Sequence, residues 1–340
     1  MSLNIQDQLF ERILQQYPKR SEAVDHLCKL LSVGKDAVYR RLRGESLISP
    51  DELEVLARHY HISIDSFIFK EQQQVQFTYN SLNQQVRTFD QYLEEILEQM
   101  MTFLHLPEQH FYYCTKDIPI FTYMYFPELI RFKLYIWGWT TFGFDFLDNK
   151  PFHFDLVPYP TLKLAEQIAE VYNQMPSTEL WNLGIVENTL HQIEYLATIG
   201  QFQEPEDAIT VCDALSQMVL HCRDMAEAGC KGTPGSTLNS KRENFQLYHN
   251  ELVSTNNIIL VESDTIQGLF TVFGNPNFLF TTDEQLLSHT KQWLDKLIAK
   301  SNSLSRENKR QRDWFFNRLD RRIAHTRNRL ESQLKDQPFF

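Results

Sequence analysis

Three groups of side chains in this 340-residue sequence are of types that could do chemistry. The first is a short cationic run, Lys35-Asp36-Ala37-Val38-Tyr39-Arg40-Arg41-Leu42-Arg43, able to pair with an anionic surface. The second is a dense aromatic cluster: Tyr112, Tyr113, Phe121, Tyr123, Tyr125, Phe126, Tyr135, Trp137 and Trp139. It reads either as a large core or as a pocket for a small apolar or aromatic ligand, with Tyr123, Tyr125, Trp137 and Trp139 as the pocket candidates, because such pockets are lined by aromatics. Buried phenol and indole donors would need partners, which a ligand could supply. The third is a scatter of isolated nucleophile and ligand types: His249 within Tyr248-His249-Asn250-Glu251, and Cys212, His221, Cys222 and Cys230. A lone histidine beside polar neighbours is more often structural than catalytic. The Cys/His separations do not match a paired zinc-ligand pattern. With no Gly-rich phosphate loop, nucleophile elbow or two-His helix motif, the sequence offers no catalytic residue, metal or cofactor, and the chain is not expected to be an enzyme.

The cationic run is set among short amphipathic helices. A first helix is expected over about Asn4–Gln16, with Ile5, Leu9 and Ile13 on one stripe and Tyr17-Pro18 as its stop. Ser21 would cap a second, whose Val24, Leu27, Cys28 and Leu31 fall at the spacing of one buried face. A tight break at Ser32-Val33-Gly34 leads into the basic helix, closed by Gly44. There only Ala37, Val38 and Leu42 suit a core, so Lys35, Tyr39, Arg40, Arg41 and Arg43 face outwards. Ser49-Pro50-Asp51-Glu52 combines an N-cap, proline at the first helical position and a reciprocal glutamate, opening a helix that buries Leu53, Leu56, Ala57 and Tyr60. A fifth short helix is expected near Ser63, burying Ile64 and Phe67.

Leu27, Cys28, Leu31, Ser32, Val33, Val38, the Arg43-Gly44 end and the closing His61-Ile62-Ser63-Ile64-Asp65 resemble the lambda repressor/Cro-like (Xre-type) helix-turn-helix domain over about residues 5–69. Cys28 stands where that family usually has Ala, Ser32 where it has Gly, and Arg41 where it buries an apolar residue, a place Leu42 is expected to fill. The resemblance implies double-stranded DNA as the partner. A helix fits the ~12 Å major groove, where its N-terminal half reaches base edges. Lys35, Asp36, Ala37, Tyr39 and Arg40 then become candidates for base or near-base contacts. Arg43, Lys19, Arg20 and the amides opening the second helix suit phosphates.

Charge is uneven along the chain. Residues 1–70 hold 10 basic and 10 acidic groups, residues 300–336 hold 11 and 5, and the stretch between holds 12 and 29, within an overall −11. An acidic centre repels polyanions, so any nucleic-acid contact must use a local basic surface. Five scattered cysteines do not form a secreted disulfide framework, and no leader-like segment is read at the start. The apolar stretch Ile118–Phe146 is interrupted by Pro127, Glu128, Arg131 and Lys133, and its longest uncharged remainder, Leu134–Phe144, is shorter than the ~20 residues a membrane span needs. A cytoplasmic, bacterial, nucleoid-associated protein without a membrane segment is expected.

Residues 1–69 are expected to form the DNA-binding domain, 70–75 a polar linker and 76–340 a larger α+β domain with a small antiparallel sheet, giving a mainly α chain overall. In that larger domain strands are expected at Val75–Tyr79, His110–Cys114, Phe245–Tyr248, Ile258–Glu262 and Ile266–Phe273, the last two forming a hairpin over Ser263-Asp264. Helices are expected at about 90–104, Pro127–Trp139, 160–175, 186–198, 205–229 and, from a capping box at Thr282-Asp283-Glu284-Gln285, to about Ser301. Gly229–Arg242 reads as a mobile loop. A final helix, about Arg306–Leu334, places Phe315, Leu319, Ile323, Thr326, Leu330 and Leu334 near a heptad seam. The seam could pack on the sheet or on a second copy, and a homodimer would suit a two-fold DNA site. Asp117-Ile118-Pro119-Ile120, Phe126-Pro127-Glu128-Leu129, Phe132-Lys133, the segment from Lys300-Ser301 through Arg312-Asp313-Trp314-Phe315-Phe316-Asn317, and Tyr39–Glu45 are similar to a group of bacterial helix-turn-helix transcription regulators with a large C-terminal domain. That resemblance brings no established ligand or reaction with it and names no effector; the favoured reading is a sequence-specific DNA-binding transcription regulator whose C-terminal domain serves dimerisation and could sense a small ligand. The alternative is an enzyme or protein-interaction scaffold tethered to DNA by the front end.

Overall fold

Asn4 opens the first helix by accepting the Asp7 amide, so that the stripe Leu9, Phe10 and Ile13 turns inwards along α1 (Ile5–Gln15). This is a computed structural model of the chain, which describes residues 4–17, 19–60, 62, 64, 67, 75–80, 86–252, 255 and 257–336. Its backbone contacts divide it into two compact units, residues 1–76 and 77–340.

In the first unit, α2 (Arg20–Leu31) starts one residue before Ser21. Lys19 is its N-cap, without a side-chain cap, and the carbonyl of Lys19 receives the Glu22 and Ala23 amides; the serine expected as cap lies inside the first turn. Ser32 ends α2 in the left-handed conformation (φ 54°). The chain thereby reverses within Ser32–Gly34 and enters α3 (Lys35–Leu42). Gly44, at φ 71°, takes the chain out of α3 in a conformation that costs a residue without Cβ little. The Ser49–Glu52 capping box forms as expected at α4 (Pro50–His59), with Oγ of Ser49 accepting the Glu52 amide at 3.1 Å and the Ser49 amide donating to Glu52 at 2.9 Å. Leu9, Ile13, Val24, Leu27, Val38 and Leu56 meet in one core. Gln6 is buried beside it and staples α1 to the exit of α3, donating to the Arg41 and Ser46 carbonyls and accepting the Ile48 amide. Phe67 packs against this core, but the fifth helix and the polar linker fall almost entirely outside the described residues.

The second unit is α+β, and its sheet is larger and more mixed than expected. Among the described residues its eight strands are β1 (Thr78–Asn80), β2 (His110–Cys114), β3 (Ser177–Trp181), β4 (Phe245–His249), β5 (Ile258–Glu262), β6 (Gly268–Val272), β7 (Phe278–Thr281) and β8 (Asn302–Ser303), in the order β1-β7-β6-β5-β2-β3-β4-β8. β2, β3 and β4 run parallel, and the remaining pairings are antiparallel. Parallel neighbours need crossover connections, which explains the helices between them. α5 (Phe89–Leu104) precedes β2. Between β2 and β3 lie α6 (Ile120–Tyr123), α7 (Pro127–Trp137) and α8 (Tyr159–Tyr172); α9 (Glu187–Thr198) and α10 (Asp207–Ala228) join β3 to β4. α11 (Glu284–Ile298) and α12 (Lys309–Asp336) follow the sheet. The N-cap of α11 is Asp283, whose side chain accepts the Leu286 amide, rather than Thr282.

One sheet face carries the large core, into which α5, α7, α8, α10 and α12 pack; Leu287 and Leu294 of α11 close a smaller core around Cys114, Leu180, Leu260 and Leu269. Gly138, just past α7, marks one close approach: a Cβ there would stand 2.7 Å from Leu147 and 2.9 Å from Phe89. The seam of α12 is spent internally. Phe315, Leu319, Ile323, Thr326 and Leu330 are all buried, and α12 packs along α10. Packing within the chain therefore accounts for the heptad-like spacing, and a second copy cannot use that stripe.

Candidate functional site

The cationic helix is short enough to be judged residue by residue. Val38 is buried and Tyr39 and Leu42 are half-buried against the same core, so these three hold α3 inwards, Tyr39 contrary to the outward placement expected; Ala37 is half-buried. Lys35, Asp36, Arg40 and Arg43 are exposed, as are Lys19 and Arg20 at the start of α2. Arg41 does not face outwards as the sequence suggested. Its guanidinium grips Glu52 of α4 with two bonds, at 2.7 and 3.2 Å, and donates to the Ala37 carbonyl at 3.1 Å. With only 16% of its side chain exposed, it serves as a clamp between α3 and α4. Leu42 takes up the apolar packing, as expected.

The exposed cations differ in how free they are. Lys35 pairs with Asp25 at 2.6 Å and Arg43 with Glu45 at 2.6 Å. These hydrogen-bonded carboxylates raise the pKa of both cations, while Arg43 holds that of Glu45 down. All four groups are well exposed, and such pairs are weak enough in water to exchange a carboxylate for a phosphate. The Arg40 carbonyl accepts the Glu45 amide at 2.9 Å, but its guanidinium makes no hydrogen bond or ion pair among the described residues, and its charge helps hold the Glu45 carboxylate down. The geometry is that of a small helix seated by four side chains and presenting one uncommitted arginine between two loosely held cations.

In the second unit, a cavity of about 190 Å³ lies between α5 and the sheet face formed by Phe111, Tyr113, Ile259, Val261, Phe270 and Phe278. Antiparallel register places Phe111 opposite Val261 and Tyr113 opposite Ile259, so one face of β2 and β5 supplies a continuous apolar wall. Of the four aromatic candidates, Tyr123 and Trp137 line the cavity and Tyr125 and Trp139 do not. The Tyr125 hydroxyl accepts from Asn173 at 2.6 Å, and Trp139 stacks on Tyr135 with ring centroids 6.1 Å apart. In each pair a spacing of two residues turns the side chains to different sides.

The polar end of the cavity escaped the sequence reading. Thr115 and Asp117 follow β2, and Lys133 reaches in from α7. Lys133 is only 3% exposed; burial pulls its pKa down to about 8, against a smaller opposing pull from Asp117. Its Nζ donates to Gln192 at 2.7 Å and stands 5.3 Å from the centre of the Tyr123 ring, whose hydroxyl is 2.9 Å from Thr189. Lys133, directly before the uncharged run Leu134–Phe144, was the available signal.

The isolated groups are absorbed by packing. His249 is buried, 2.7 Å from Glu251 and against the rings of Trp314 and Phe315. His221 bonds the Gly232 carbonyl region at 2.9 Å, and burial pushes the Cys212 thiol up to about 12. No group of three His, Cys, Asp or Glu side chains is placed to hold a metal ion among the described residues. Nor is any described helix long and apolar enough to cross a membrane. Comparison of the chain with protein-family models, with curated proteins and with solved structures returned no match.

Proposed function

We propose that this chain is a one-component transcription regulator, in which the first unit binds double-stranded DNA through α3 in the major groove and the second unit senses a small molecule. The observation that carries the DNA half is the division of labour on α3. Val38, Leu42 and the Arg41–Glu52 clamp hold it inwards, and Lys35, Asp36 and Arg40 remain on the outer side. An exposed, uncommitted arginine near the middle of a seated helix suits bidentate contact with a guanine edge. Lys19, Arg20 and Arg43 suit phosphates, which position the unit without reading sequence. In a two-fold assembly two such helices would sit about one helical turn apart. The pairing surface is then something other than the α12 stripe. Ligand control would act by favouring one placement of the DNA-binding units over another, to the extent of the ligand's differential affinity.

The test separates base from phosphate contacts. Arg40→Ala is expected to weaken specific binding by ~5- to 150-fold, the equivalent of ~1–3 kcal/mol, and to relax preference at one base position. Arg43→Ala is expected to weaken all duplexes alike and to lower the slope of log affinity against log salt by about one. If neither substitution changes the binding of any duplex, α3 is not the DNA-contacting element.

A further inference from the structure

We propose that the cavity between α5 and the sheet binds a small organic molecule with a flat apolar body and a hydrogen-bond-donating head, an amine or an alcohol. This deepens the sensing half of the regulator proposed above, and it stands or falls without DNA. Two oxygens at the polar end carry it. Thr115 Oγ1 and Asp117 Oδ1 are both buried and have no hydrogen-bond partner in the structure, and Thr115 as a residue is only 6% exposed. Buried polar atoms are nearly always paired, so two orphans two residues apart in the loop after β2, both lining one cavity, mark a place where a partner belongs.

The chemistry of that partner follows from what surrounds it. The carboxylate of Asp117 is already fixed through its other oxygen, which accepts from Asn188 at 3.1 Å, leaving Oδ1 as an oriented acceptor. A hydroxyl such as that of Thr115 can accept a second bond beside it. The Lys133 ammonium is committed to Gln192 and to the face of Tyr123, whereas Glu95 adds a second carboxylate to the lining. An anionic head at this end would meet the Asp117 carboxylate and an occupied cation; a donor head would meet two free acceptors. Around the body stand Tyr92, Phe103, Phe121, Trp137 and Met100, a surface for ring stacking and sulfur contact. The volume suits one or two fused rings, since an apolar cavity of ~150 Å³ already accepts benzene.

The experiment uses the full chain and no DNA. Three heads, ammonium, hydroxyl and carboxylate, are offered on two ring systems: phenethylamine, phenylethanol and phenylacetate, then tryptamine, indole-3-ethanol and indole-3-acetate. Isothermal titration is expected to show saturable one-to-one binding of an ammonium or hydroxyl probe, at least tenfold tighter than the carboxylate probe on the same ring. Thr115→Val, close to isosteric, and Asp117→Asn should each weaken that binding about tenfold while circular dichroism stays unchanged. Met100→Trp, which fills the cavity, should abolish it. Should either polar variant fail to fold, Met100→Trp and the comparison of heads still decide. No saturable binding by any probe, equal binding of all three heads, preference for the carboxylate, or binding that survives Met100→Trp would each overturn the proposal. Loss of DNA binding with this pattern intact would instead sink the regulator while leaving the site.

Discussion

Replacing Lys231 by methionine strips the charge from one side of a buried cluster beneath the parallel strands. Glu179, at the centre of β3, is 2% exposed and accepts from the Tyr172 hydroxyl, from Ser177 at 3.1 Å and from the Trp181 indole at 3.0 Å. Lys231 is 3% exposed; its Nζ donates to the Met175 carbonyl at 2.8 Å and stands 3.5 Å from the centre of the Tyr172 ring. Tyr172 thus bonds the acid through its hydroxyl and the base through its face. Burial raises the pKa of Glu179 and lowers that of Lys231 to about 7, and each charge offsets the other's desolvation. The two charges make no direct ion pair and act on each other across Tyr172, so leaving one buried without the other is expected to cost up to the ~3–5 kcal/mol typical of a buried pair broken from one side. Lys231→Met should therefore lower urea-unfolding stability by about that much. Glu179→Gln should also destabilise, since its amide would turn a donor towards one of three donors. The double variant should lose ~1–3 kcal/mol less than the two single losses added together, the size of coupling seen between groups of one network. Equilibrium urea unfolding at neutral pH, with m-values checked for constancy, measures all three. Losses that add to within ~0.5 kcal/mol would show that the two charges do not depend on each other.

Arg41→Ala should destabilise the first unit by ~1–2 kcal/mol through loss of the Glu52 clamp while leaving the salt slope of DNA binding unchanged; a slope lowered by one would make Arg41 a phosphate contact instead. Leu319→Ala on α12 should cost ~2–5 kcal/mol in urea unfolding and leave the sedimentation coefficient of the folded chain as it was; a changed assembly state at unaltered stability would return the α12 stripe to an intermolecular role. His110 is held down to about 4 from 6.5, mainly by burial and then by the Lys231 and Lys291 charges. The unfolded chain binds this proton first, so the stability is present above pH 6.5 and is lost as pH falls towards 4, by ~3 kcal/mol at ~1.4 kcal/mol per unit. Stability curves of wild type and His110→Asn should converge over that window, and parallel curves would contradict the assignment.

Much of the first unit was legible because its signals are local. The Ser49–Glu52 box, Gly44 past α3 and the stripes of α1 and α2 lie within a few residues of what they specify. Ser21 misled because a good capping side chain next to a helix start does not fix which residue becomes the cap. In the second unit β2, the β5–β6 hairpin and the long helices were readable from spacing, whereas β3 was not. Ser177-Thr178-Glu179-Leu180-Trp181 is buried on both faces, so it lacks alternation, and its acid is balanced by Lys231 from a segment that reads as a mobile loop. β7 is four residues between Pro276 and the α11 cap, too short for a periodic signal. Missing β3 and β7, together with the two-residue β8, made the sheet look small and antiparallel. The cavity was half legible: aromatic density pointed to Tyr123 and Trp137, but which aromatics face one another depends on register across β2 and β5. The two orphaned oxygens are a tertiary property that no spacing encodes.

Selection of binding sites by the full chain from a pool of random-sequence duplexes tests the DNA assignment most directly. Rounds of capture at moderate salt should enrich a shared site, bound at least ~10³-fold more tightly than the starting pool. Repeating the selection with Arg40→Ala should blur one base position of that site. A pool that remains random after repeated rounds with folded protein would contradict DNA recognition by this chain.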